Sequence, residues 1–86
     1  MDEYILAVFS VRTSTIQFST MLNRGGVNNL IVETPKRLTT SCGVSVKFSA
    51  KNFGRAKGIL MNSGIKNFVR FYYVKVFNGS TNISPL

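Results

Sequence analysis

The sequence predicts an α+β fold: a ferredoxin-like βαββαβ sandwich, with a four-stranded antiparallel sheet and two helices on one of its faces. Three observations predict it. Strand-like and helix-like hydrophobic stretches follow one another in the order β-α-β-β-α-β. The chain has 86 residues, enough for one domain with one modest core. Apolar residues make up 44% of it, too many for a disordered segment.

Tyr4 to Phe9 is an almost unbroken apolar run whose length suits a central strand. Ser10 to Thr15 is polar, and Ser10 or Thr13 can cap a helix. Ile16, Phe18, Met21 and Leu22 follow at helical spacing, and Gly25-Gly26 stops the helix, which is placed at about Thr13 to Arg24. Asn29 to Thr34 reads as the second strand, ended by Pro35, which has no N–H for a ladder. Gly43 to Phe48 alternates, with Val44, Val46 and Phe48 toward the core and Gly43, Ser45 and Lys47 facing outward.

Ser49 is placed to cap a second helix, whose Phe53, Ala56, Ile59 and Leu60 share one side. Gly54 and Gly58 weaken this helix by roughly 1 kcal/mol each relative to Ala, which close packing against the sheet would offset. Asn62-Ser63-Gly64 stops it, and Phe68 to Phe77 forms a long aromatic last strand. The domain is expected over 1–77, with 78–86 a flexible tail.

Right-handed crossovers then make strands one and two parallel, with strand three between them and antiparallel to both. The end of strand one, the start of helix one and the loop between strands two and three fall at the same end of the sheet. That brings Cys42, at the close of this loop, toward Ser10 to Ser14. Arg12 lies in that stretch, and Lys36 and Arg37 lie in the loop.

Eleven Lys and Arg against three Asp and Glu give a net charge of +8. Such a field attracts anions: nucleic acid, an acidic protein or a small anionic ligand. The charges are scattered, without the dense basic run of a nucleic-acid-binding arm. With no histidine, neither a histidine-based triad nor a usual zinc set is available. One cysteine excludes an internal disulfide and Cys-x-x-Cys redox cycling. Three carboxylates make a Mg²⁺ site or an acid–base pair improbable, and no cofactor is expected.

The acidic opening Met1-Asp2-Glu3-Tyr4 is unlike a signal peptide, and no apolar run is long enough to span a membrane. A cytoplasmic protein is expected, in which the sequons at Asn78 and Asn82 stay unused. It is not expected to be a self-sufficient enzyme.

Cys42 is the remaining centre of chemistry. Its reactive form is the thiolate, with a reference pKa of about 8.5, and a helix N-terminus and nearby cations favour that anion. Thr39, Thr40 and Ser41 supply hydroxyl donors, and Gly43 leaves the cysteine backbone uncrowded. The competing reading is a cysteine packed as a small hydrophobe, beside ordinary solvated cations.

The stretch Thr34-Pro35-Lys36-Arg37-Leu38-Thr39-Thr40-Ser41-Cys42-Gly43-Val44-Ser45-Val46-Lys47-Phe48 resembles the core motif of a small bacterial family, the Se/S carrier protein-like domains. There a Thr-Pro-basic start leads to Cys-Gly and an apolar strand. The flank Ser10-Val11-Arg12-Thr13 is similar to that family's Ser-x-Arg-Thr turn. The resemblance runs over roughly residues 4 to 74. It implies a selenium or sulfur carrier that holds the chalcogen on Cys42, with Arg12, Lys36 and Gly43 as its surroundings by position; Thr13, Thr34, Arg37 and Ser41 are the further residues expected around the site. Its partners would be proteins that donate and accept the chalcogen. Lys36 stands where arginine is common in the family, and Arg37 where an acidic or polar residue often occurs.

Two other readings compete. Four-stranded sheets of this kind bind RNA through aromatic residues on the open face, and Phe71, Tyr72, Tyr73 and Lys47 are available. A homodimerisation module would use the long last strand and the uncovered sheet face.

Overall fold

The computed structural model describes residues 3–38 and 43–86. Its elements are β1 (Glu3–Phe9), α1 (Arg12–Arg24), β2 (Asn29–Glu33), β3 (Val44–Ser49), α2 (Phe53–Ser63), β4 (Phe68–Phe77) and β5 (Ser80–Pro85). They form an α+β fold in which one antiparallel sheet has the order β2-β3-β1-β4-β5. β3 lies between β1 and β2 and runs antiparallel to both, as the crossover argument requires. The sheet has five strands, not the four of the predicted ferredoxin-like sandwich.

The fifth strand comes from the segment expected to be a flexible tail. Asn78 and Gly79 both have positive φ, 48° and 78°. A two-residue turn with both central residues left-handed matches the twist of a hairpin, and Asn-Gly is its strongest sequence signal. Phe77 therefore pairs with Ser80, and the ladder continues to Tyr72 opposite Pro85. The polar composition of 78–86 concealed this signal.

Both helices pack on one sheet face. Phe18 and Leu22 of α1 and Ala56 of α2 join Ile5, Ala7 and Phe9 of β1, Val46 and Phe48 of β3 and Phe71 of β4 in one buried cluster. Phe53, Ile59 and Leu60 pack against its rim. A strand of strict alternation could not turn both Phe68 and Phe71, three residues apart, into this core. β4 solves the mismatch with a bulge: Val8 pairs with Arg70 but Phe9 pairs with Phe68, leaving Val69 unopposed. The Phe68 ring then stands 5.4 Å from Phe9 and 4.8 Å from Phe71.

The helix starts differ from expectation. Val11 is the N-terminal flanking residue of α1 and has no side chain that can cap. Ser10 instead joins the segment before β4, its N–H donating to the Asn67 carbonyl at 2.8 Å. Ser49 does not cap α2 directly, because a 3₁₀ turn, Ala50–Asn52, intervenes. α2 ends at Gly64 with φ 71°, and the Ser63 hydroxyl donates to the Leu60 carbonyl at 2.7 Å. At the other end of the helix layer, the Asn29 amide donates to Val27 and Asn23, tying β2 to α1.

Gly54 and Gly58 do not approach the sheet closely; a methyl group at either would meet nothing within 4 Å. Their cost to α2 is therefore uncompensated by packing. Replacing either by Ala is expected to stabilise the protein by about 0.4–1 kcal/mol, raising Tm by several degrees in a thermal melt. A hydrogen bond to Glu3 raises the Tyr73 phenol above its ordinary pKa of 10.0, with lesser contributions from burial and from the Glu3 charge. The folded state thus holds this proton more tightly than the unfolded chain. The associated stabilisation is present below about pH 10 and disappears as pH rises through the folded-state value. Tyr73→Phe should remove that part of the alkaline stability profile, read from urea unfolding on either side of pH 10.

Candidate functional site

The end of the sheet predicted to hold the site is formed by the C-termini of β1 and β2, the N-terminus of β3 and the start of α1. The final ladder pairs there are Val8 with Ser45 and Glu33 with Val44. The chain leaves β2 at Thr34 and re-enters β3 through Gly43. These two residues close the mouth of the loop, the Thr34 N–H donating to the Gly43 carbonyl at 2.9 Å. A second bond lies beside it, between Thr34 Oγ1 and Ser45 Oγ at 2.6 Å.

Ser45 was expected to face outward. It is fully buried, and the Thr34 hydroxyl satisfies it there, where water cannot. Sequence reasoning missed this partnership. Its legible trace is two hydroxyl residues flanking a loop, diagonal to each other across neighbouring strands.

Gly43 has φ +78°, a conformation that a side chain disfavours. Its role is thus conformational: it turns the chain into β3 at the loop mouth. Pro35 to Leu38 forms a tight turn, with the Leu38 N–H donating to the Pro35 carbonyl at 2.9 Å. That turn presents Lys36 and Arg37, both exposed. Arg12 and Thr13 are exposed at the first positions of α1, at this same end of the sheet. Ser41 and Cys42, with Thr39 and Thr40, lie outside the described residues.

The structure thus gathers Arg12, Thr13, Thr34, Lys36, Arg37 and Gly43 at one end of the sheet. No group of His, Cys, Asp and Glu suited to a metal ion occurs among the described residues. A surface groove of about 620 Å³ lies between α1 and the segment after α2, where Arg24 and Lys66 line it. Lys36 and Arg37 stand exposed at the sheet edge. No helix among the described residues is long and apolar enough to cross a membrane.

The loop mouth is testable by stability. Thr34→Val should cost about 1–3 kcal/mol by leaving the Ser45 hydroxyl buried and unpaired. Thr34→Val combined with Ser45→Ala should cost less than the sum of the single changes, as urea titration of the double-mutant cycle will read. Gly43→Ala should cost about 1–2 kcal/mol through backbone strain alone.

Comparison with known proteins adds to this geometry. No curated protein and no solved structure matches the chain. A family model does match, over residues 4–68, and its description is "Putative Se/S carrier protein-like". The match spans β1 through the first residue of β4, including the whole loop between β2 and β3. With most of its length matched, the chain belongs to the Se/S carrier protein-like family.

Proposed function

We propose that the protein carries selenium or sulfur on the Cys42 thiol and passes it between partner proteins. The observation that carries this reading is the family match over residues 4–68, which spans Cys42 and its basic loop. Two features support it. Arg12, Lys36 and Arg37 are exposed at one end of the sheet, giving a positive setting that favours a thiolate. The loop that contains Cys42 opens from a mouth fixed by the Thr34–Gly43 and Thr34–Ser45 hydrogen bonds.

Loading is thiol–persulfide exchange. The Cys42 thiolate attacks the outer sulfur of a donor persulfide. A sulfur–sulfur bond forms at Cys42, the donor's own sulfur–sulfur bond breaks, and the donor cysteine leaves as a thiolate. Electrons and atoms balance without an external oxidant. A perselenide donor follows the same course with selenium as the transferred atom. The partners are therefore a chalcogen donor and an acceptor, and the domain contributes the thiol, the cations and a docking edge.

Incubation with a small-molecule persulfide should add the mass of one sulfur atom to the intact protein. The addition should be lost on reduction and absent from Cys42→Ser. Arg12→Gln combined with Lys36→Gln should slow alkylation of Cys42 several-fold at neutral pH. A thiol that reacts no faster in the folded protein than in urea would overturn the proposal.

A further inference from the structure

The sheet face opposite the helices carries no helix among the described residues. Strand register identifies what lies on it. Leu6 of β1 is flanked by Lys47 of β3 and Tyr72 of β4, Val8 is opposite Arg70, and Tyr4 is opposite Val74. Leu6, Val8 and Val74 are nevertheless at most 1% exposed. On the same face, Lys47 Nζ lies over the Tyr4 ring, 4.3 Å from its centroid.

Tyr4 and Tyr72 are both half-buried. They occupy diagonal positions on adjacent strands, since Tyr4 is opposite Val74 and Tyr72 is opposite Leu6. Diagonal neighbours sit roughly 7–8 Å apart, close enough for one ligand to span both. Of the aromatic set read from the sequence, Phe71 and Tyr73 fall on the helix side instead. Tyr4 takes their place, and its partner Lys47 was in the original set.

Charge on this face is one-sided. The described carboxylates, Glu3 and Glu33, both fall on the helix side of the sheet: Glu3 is bonded to Tyr73, and Glu33 is opposite Val44. The open face carries Lys47 and Arg70 in a chain of net charge +8. A second copy of the chain would bring like charges together here, and an acidic protein has no particular use for two tyrosine rings. Unpaired nucleotides use both features, since bases stack on aromatic rings and phosphates pair with cations. The tyrosine hydroxyls add donors and acceptors suited to the ribose 2′-OH, which favours RNA over DNA.

We infer that the helix-free sheet face binds single-stranded RNA, with Tyr4 and Tyr72 stacking on bases and Lys47 and Arg70 meeting phosphates. The residues argued from here do not include Cys42, and the inference does not depend on the carrier reading. Cys42→Ser should bind RNA as the unchanged protein does, so failure of one proposal leaves the other intact.

Fluorescence anisotropy with a short labelled oligouridine tests it across a salt series. Binding should weaken about tenfold or more in Tyr4→Ala and in Tyr72→Ala, while Tyr4→Phe and Tyr72→Phe keep the stacking but lose part of the preference over oligothymidine. Lys47→Gln should weaken binding and lower the salt slope by about one. Arg55→Gln removes the same charge from the exposed side of α2 and should have a smaller effect. Ultraviolet cross-linking of the unchanged protein should map to the peptides containing Tyr4 and Tyr72, a readout that holds even if an alanine variant unfolds. The inference is overturned by no binding at low salt, by oligothymidine binding equally well, or by tyrosine variants that bind unchanged. Cross-links on the helices, or a dimer that Tyr72→Ala converts to monomer, would overturn it as well.

Discussion

The architecture depends on the burial of one ring, Phe71. It meets Phe18 of α1 at 6.4 Å, Phe48 of β3 at 6.2 Å, Phe53 at the start of α2 at 5.1 Å and Phe68 of its own strand at 4.8 Å. Tilted and edge-on contacts of this kind add about 0.5–1.5 kcal/mol each beyond the area they bury. In a chain of 86 residues, one such junction joins both helices to the sheet. The bulge at Val69 exists to serve it, because Phe68 and Phe71 cannot otherwise share a face.

The two faces of the sheet therefore have different duties. The helix side holds the aromatic core and the two described carboxylates. The other side holds Leu6, Val8 and Val74, all buried, with no helix on it among the described residues. The sheet end occupied by Arg12, Lys36 and Arg37 is a third region, set by where the strands stop. Separate regions let a domain this small keep its core apart from its exposed cations.

Much of this was legible in the sequence because it rests on periodicity. The apolar run of Tyr4–Phe9 gave the right element, and the alternation of Val46 and Phe48 the right inner face as well. Of the helical set Ile16, Phe18, Met21 and Leu22, Phe18 and Leu22 are buried whereas Ile16 is exposed. Chain order and crossover handedness then placed the loop beside the start of α1. What escaped was set by pairings between distant residues or by single-residue geometry. The Val69 bulge shifts a face without altering composition. Ser45 reads as a surface residue until its bond to Thr34 is known. The Asn78-Gly79 turn carried a clear signal, but the polar residues after it suggested a tail. Of the candidate site, the flanking cations and Gly43 could be placed, whereas Ser41 and Cys42 lie outside the described residues.

The hydrogen bond between Thr34 and Gly43 also bears on how this protein can change over time. It pins the two ends of the β2–β3 connection, so the sheet's integrity does not rely on the length of chain hung between them. Closing a flexible loop becomes only about 0.6 kcal/mol harder each time its length doubles. Insertions there are consequently cheap, and new recognition chemistry can be tried at that edge while the strands and helices stay as they are.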